Sequence, residues 1–104
     1  MKNESDTMLN IGILCHNHFN FIEKCINSIL CQKTSYNYNI IIVDDFSTDG
    51  TREILENFFQ QNQNKIELIL NNDNIGALNS AKILAQNAKA KYVCFLDGDD
   101  YWCY

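Results

Sequence analysis

Three carboxylates crowd into four residues at Asp97, Asp99 and Asp100, directly after the apolar run Tyr92–Leu96. Gly98, set among them, leaves the main chain open to close approach. Hard oxygen ligands of this kind suit Mg²⁺ or Mn²⁺, ions that keep part of their coordination for a phosphate. A second acidic pair, Asp44-Asp45, ends another apolar run, Tyr38–Val43. Acids gathered in one place can bind a cation, position a nucleotide or accept a phosphoryl group. A solvated acidic turn uses the same residues, so the elements that carry the acids must decide between these.

Those elements alternate along the chain. Residues 1–8 are polar and without period, and a disordered tail is expected there. The apolar stretch that ends at Cys15 reads as the first strand. Asn20 and Glu23 have the spacing of a capping box, and Ile22, Cys25, Ile26, Ile29 and Leu30 form one apolar stripe on a helix running to about Gln32. Lys33 to Asn37 is a polar loop. Tyr38–Val43 is a near-continuous apolar strand, of the sort buried on both faces of a parallel sheet. Ser47 or Asp49 is placed to cap a second helix bearing Ile54, Leu55, Phe58 and Phe59. Ile66–Leu70 is the third strand. Gly76 opens a third helix, with Leu78, Ala81, Ala85 and Ala88 on one side and Ile83 and Leu84 beside them. Tyr92–Leu96 is the fourth strand, expected to be buried.

The order β-α-β-α-β-α-β predicts an α/β, Rossmann-like three-layer sandwich with a parallel sheet and right-handed crossovers. In such a sheet the strands of Asp44-Asp45 and of Asp97–Asp100 end at the same edge, where open α/β sheets bind ligands. The chain of 104 residues is enough for one domain. Its formal charge of −5, from 13 acids and 8 bases, excludes a nucleic-acid surface. Five cysteines (Cys15, Cys25, Cys31, Cys94 and Cys103) include no Cys-x-x-Cys, and no signal-peptide pattern precedes them. Free thiols in a reducing cytoplasm are expected. No Walker-type phosphate loop and no Gly-x-Gly-x-x-Gly follows the first strand.

Four segments in register resemble the nucleotide-binding half of the inverting family 2 glycosyltransferases, which have the GT-A fold. Ile13–Asn17 stands where that family has Ile-Pro-Thr-Tyr-Asn, and Ile42–Thr51 is similar to Val-Val-Asp-Asp-Gly-Ser-Thr-Asp-Gly-Thr. Asn74-Ile-Gly76 resembles its Asn-x-Gly, and Phe95–Asp100 its Asp-x-Asp segment. The resemblance covers about residues 9 to 102. It implies a nucleotide-diphospho-sugar donor, a UDP-sugar first, and a saccharide or lipid-linked acceptor for the full-length enzyme. Leu14, Cys15 and His16 would line the base pocket, largely through main-chain groups. Asp45 would accept the ring N–H of a uracil-type base. Asp97 would reach the ribose or a metal-bound water, and Asp99 would hold the Mn²⁺ or Mg²⁺ that bridges the diphosphate.

The chain also departs from the family pattern. Leu14-Cys15 replaces Pro-Thr, and Phe46 stands where Gly is common. Ser80-Ala81-Lys82 stands where the family often has Ala-Arg-Asn, leaving Lys82 as a partial substitute for the missing Arg. Residues 9–104 are read as a donor half that stops after the Asp-x-Asp motif. No catalytic base is expected within it, and the face left for an acceptor half would favour self-association. Asp44 reads as a structural turn acid, Asp49 and Asp100 as a helix cap and a turn residue. Tyr101 and Trp102 would flank the sugar or pack against the other half. His16 and His18 have His-x-His spacing, but extended alternation alone produces it. Two other classes remain open. Ile40–Asp45 followed by a helix resembles the opening of a phosphoacceptor receiver domain, with Asp97 as acceptor. A non-catalytic nucleotide-binding module is the third reading.

Overall fold

Four apolar runs become four parallel strands, with three helices returning the chain between them. The computed structural model describes residues 9–32 and 37–99. The tail over 1–8, most of the loop after the first helix, and the readings of Asp100, Tyr101, Trp102 and Cys103 lie outside the described residues. The elements are β1 (Leu9–Cys15), α1 (Ile22–Leu30), β2 (Tyr38–Asp44), α2 (Thr51–Gln61), β3 (Ile66–Leu70), α3 (Ala77–Asn87) and β4 (Tyr92–Asp97). The sheet order is β3-β2-β1-β4. The chain therefore steps outward from β1 to β3 and then crosses back to β4 on the other side. Ligand crevices in open α/β sheets lie at such a reversal, beyond the strands' carboxyl ends.

The register levels those ends. Cys15 pairs with Asp44, Leu14 with Asp97, and Asp44 with Leu70. Helices α1 and α2 cover one face, where Ile22, Cys25, Ile26, Ile29 and Leu55 meet Ile11, Ile13, Ile40 and Ile42. On the other face α3 seats Leu84 against Ile41 and Val43. Three layers result, as the alternation predicts. Gly12 permits the close seat: a Cβ there would come within 2.5 Å of the Leu84 side chain.

Three expectations are corrected. The capping box fails, since α1 has no side-chain cap; the N–H groups of Phe21 and Ile22 instead bond the His18 carbonyl at 2.9 and 2.8 Å. The inward face of α3 is set by Ser80 and Leu84, and Leu78 is 71% exposed. Leu84 over Gly12 fixes the helix's rotation and turns Leu78 outward. Finally, β4 is not buried: Tyr92, Val93 and Phe95 are exposed. Among the described residues it pairs only with β1, and α3 lies over β1 and β2 instead. At the far end of the sheet, Asn10 Oδ1 accepts the N–H groups of Lys89 (2.9 Å) and Ala90 (2.8 Å), which fixes the connection from α3 into β4.

Candidate functional site

The exits of β1 and β2 are laced together by main-chain and side-chain hydrogen bonds. Asp45 N–H donates to the Cys15 carbonyl at 2.7 Å. Asn17 N–H donates to Ser47 Oγ, and Thr48 N–H to Asn17 Oδ1, both at 2.8 Å. His16 Nδ1 lies 2.5 Å from the Asp45 carbonyl; a carbonyl only accepts, so Nδ1 carries the proton. The two histidines of the His-x-His spacing have separate surroundings. His18 Nδ1 is buried, bonds no described residue, and lies over Gly98.

Asp44 is fully buried and completely engaged. It accepts Ser47 N–H at 2.9 Å, Ser47 Oγ–H at 2.5 Å and Arg52 Nε–H at 2.7 Å. Arg52 also donates to the Asn71 carbonyl and lies 5.5 Å from the centroid of the Phe46 ring. Phe46 itself has φ 58°, a left-handed conformation that explains why glycine is common at this point of the motif. Asp49 accepts the N–H groups of Phe19 and Thr51, each at 3.1 Å. The cap position of α2 is Gly50, with no side-chain cap hydrogen bond, so neither Asp49 nor Ser47 is the cap expected from sequence; Asp49 steadies the start of α2 from one residue further out, and Ser47 serves the loop.

The carboxylate of Asp45 turns inward. Oδ1 accepts Ile75 N–H (2.8 Å) and Asn71 Nδ2–H (3.2 Å), and Oδ2 accepts Gly76 N–H (2.9 Å). Burial works against its charge. The hydrogen bonds from Ile75, Asn71 and Gly76 outweigh that, with His16 adding to them, and hold the carboxyl below its usual range. The Asn-x-Gly segment is therefore fastened to β2 through this one side chain.

Above Asp45 opens a cavity of about 240 Å³. Leu14, Cys15, His16 and His18 line it from the β1 exit, Asn74, Gly76, Ala77 and Ser80 from the start of α3, and Asp97 from β4. Five positions singled out from sequence, Leu14, Cys15, His16, Asp45 and Asp97, thus share one cavity. Asp99 lies two residues further along the β4 exit, exposed and outside the lining. Gly98 between the two acids is buried, and its N–H donates to the Leu14 carbonyl at 2.9 Å. A Cβ on Gly98 would meet His18 Nδ1 at 2.5 Å and Cys15 Sγ at 3.2 Å.

Among the described residues no three His, Cys, Asp or Glu side chains are gathered for a cation. Two exposed carboxylates on one turn still fit Mg²⁺ or Mn²⁺, which bind through one or two carboxylates and leave other positions to phosphate and water. Burial and then the charge of Asp44 push the Cys15 thiol far above its usual value, so it packs as a thiol and is no nucleophile. Among the described residues, Cys15, Cys25, Cys31 and Cys94 form no disulfide. Lys82 is exposed and stands outside the cavity lining, so it does not take the missing arginine's place there. The sequence reading missed Asn71, Ser80 and Arg52. Asn71 follows β3 as Asp45 follows β2, so the strand-end logic that found one acid would have found it.

A family model described as glycosyl transferase family 2 matches residues 10–103. TuaG of Bacillus subtilis (strain 168), named as a teichuronic acid biosynthesis glycosyltransferase, is 37% identical over 84% of this chain and 34% of its own length. The crystal structure of S. aureus TarS 1–349 in complex with UDP superposes with a TM-score of 0.82 at 25% identity, over 91% of this chain and 28% of that one. Mannosyltransferase PcManGT from Pyrobaculum calidifontis, solved with GDP-Man and Mn²⁺, has the same fold, with a TM-score of 0.82 at 20% identity over 92% of this chain and 28% of that one. The chain thus spans about a third of the length of these relatives, with their fold and with the motifs at the level strand ends. It belongs to glycosyl transferase family 2.

Proposed function

We propose that this chain binds a nucleoside-diphosphate sugar, a UDP-hexose before others, and forms the donor-holding part of an inverting transferase. The observation that carries the reading is the convergence of Leu14, Cys15, His16, Asp45 and Asp97 on one cavity beside the Asp99 turn. In this reading Leu14 to His16 border the base and Asp45 accepts its ring N–H. Asp97 and Asp99 hold a divalent cation, which neutralises charge on the departing diphosphate. The UDP complex of TarS supports a nucleotide donor.

The other acids at this edge have structural duties. Asp44 is paired with Arg52, Asp49 steadies α2, and Asp45 carries three hydrogen bonds. An acceptor hydroxyl must lose its proton to a base. We expect that base, and the saccharide or lipid-linked acceptor site, in the remainder of a family-length protein. The chain should therefore bind nucleotide without transferring sugar. Exposed Tyr92, Val93 and Phe95 on β4 support self-association of the chain by itself. No helix among the described residues is long and apolar enough to cross a membrane. We assign a cytoplasmic setting, with membrane association in the longer enzyme. Calorimetric titration of the chain with UDP and ADP, each with and without Mn²⁺, tests the reading. Mn²⁺-dependent binding that favours UDP is expected; failure to bind UDP in Mn²⁺ would overturn it.

A further inference from the structure

Three nearly sealed side chains share one amide nitrogen at the back of the cavity. Asn71 Nδ2 spends its two hydrogens on Asp45 Oδ1 at 3.2 Å and Ser80 Oγ at 3.1 Å. Asp45, Asn71 and Ser80 are 5%, 8% and 1% exposed, and Asp45 and Ser80 both line the cavity. Counting valences shows what remains open. Asp45 Oδ1 already accepts from Ile75 and Asn71, whereas Oδ2 accepts only from Gly76. Ser80 Oγ accepts from Asn71, and its own hydrogen has no acceptor among the described residues. A buried hydroxyl seldom leaves its donor unspent. The cavity wall therefore offers one anionic acceptor and, across the same amide, one hydroxyl donor.

We infer that Ser80 reads the nucleobase together with Asp45: Asp45 Oδ2 accepts the ring N–H, and the Ser80 hydroxyl donates to the carbonyl beside it. The inference rests on the nucleotide-binding reading above and names the base chemistry of that site. An N–H next to a C=O is the edge of uracil and of guanine. Cytosine and adenine present an unprotonated ring nitrogen next to an amino group, which sets lone pair against carboxylate and donor against donor. Guanine adds an exocyclic amino group beside its N–H, and Oδ1 is already filled. Uracil fits the valences that are left. Specificity of this kind is strong, because the wrong base strands buried polar groups.

The test measures binding of UDP, GDP, CDP and ADP to the full chain in Mn²⁺, for the wild type and for Ser80→Ala. Two analogues, 2-thio-UDP and 4-thio-UDP, replace each base carbonyl in turn by a poor acceptor. The wild type should prefer UDP and lose affinity for one of the thio analogues. Ser80→Ala should weaken UDP by about five- to tenfold, the size of one hydrogen bond, and leave CDP unchanged. The thio penalty should vanish in the variant, a result that mere loosening of Asn71 would not produce. Equal losses for UDP and CDP, or an undiminished thio penalty, would overturn the role of Ser80. So would UDP binding that responds to Asp45→Asn and ignores Ser80→Ala. A wild type that binds none of the four nucleotides would overturn the nucleotide reading itself, and this inference with it.

Discussion

Two acidic pairs stand at one sheet edge, and their surroundings are opposite. Asp44 ends and Asp45 follows a strand buried on both faces, and they are themselves 0% and 5% exposed. Every oxygen of theirs bonds a neighbour: Arg52 and Ser47 on one carboxylate, Ile75, Gly76 and Asn71 on the other. Asp97 and Asp99 leave an edge strand and are exposed. Identical side chains thus divide their labour by depth. The inner pair ties β1, β2, β3 and α3 into a fixed rim, and the outer pair's carboxylates bond no described residue. Substitutions should separate into losses of stability and losses of binding, except at Asp45, which also lines the cavity.

The largest effect is expected inside. Asp44→Ala strips Arg52 of its carboxylate and the 44–47 turn of its acceptor. Breaking a buried pair costs about 3–5 kcal/mol, and Arg52, 25% exposed, places this one near the lower end. Denaturant unfolding should show a loss of about 3 kcal/mol, a large share of a small domain's stability. A loss below about 1 kcal/mol, the size of an exposed ion pair, would erase the contrast with the outer pair.

Asp45→Asn comes next and cuts across the division. Its amide keeps the volume and one acceptor oxygen, but its NH2 group faces either Gly76 N–H or the Ile75 and Asn71 donors. Stability should fall by about 1–3 kcal/mol, the usual cost of stranded buried groups. UDP should also weaken more than ADP. From sequence only the second effect was expected, because the three inward hydrogen bonds were not visible. Equal losses for both nucleotides would remove Asp45 from base reading and leave it a structural residue.

Asp99→Ala should do the reverse. Unfolding should move by no more than about 0.5 kcal/mol, as for exposed sites. The Mn²⁺-dependent part of UDP affinity should fall about tenfold, or roughly 1.4 kcal/mol, and chelation of the metal should reproduce the loss in the wild type. Unchanged UDP affinity in Mn²⁺ would remove Asp99 from the cation site.

What sequence could reveal follows the same division between outside and inside. Strand ends were legible because apolar runs stop at polar turns, and parallel alternation brings those ends to one edge. Asp44 could be told from Asp45 as a turn acid. The rotation of α3 could not be read, because Leu78, Ala81 and Ala85 make as good a stripe as Ser80 and Leu84. Only the bare Cα of Gly12 beneath Leu84 selects the second, and with it brings Ser80 to Asn71. The exposure of β4 was equally hidden, since an apolar run does not say how many neighbours it has. Phe46 shows the limit from the other side. Its left-handed backbone is the one the motif requires, yet its side chain is not the one that conformation favours.

The smallest effect is the pH response that the inner pair's environment implies. Folding lowers the pKa of Asp45 below the ordinary carboxylate range. A carboxyl depressed in the folded state binds protons more readily in the unfolded chain, so stability rises with pH through that window. The contribution of Asp45 is complete above the unfolded value and is lost as pH falls through the folded one. The stability gap between wild type and Asp45→Asn should therefore stay level from about pH 7 to pH 5 and narrow below about pH 4. Asp49, whose carboxyl burial raises but the hydrogen bonds from Thr51 and Phe19 together bring below its ordinary value, should behave alike when changed to Asn. The comparison with each variant cancels carboxylates elsewhere in the chain. Urea midpoints at pH 3, 4, 5 and 7 would measure both gaps. A gap for Asp45→Asn that widens in acid would mean that its inward hydrogen bonds do not favour the charged form, and the inner pair would lose its claim to hold the rim by charge.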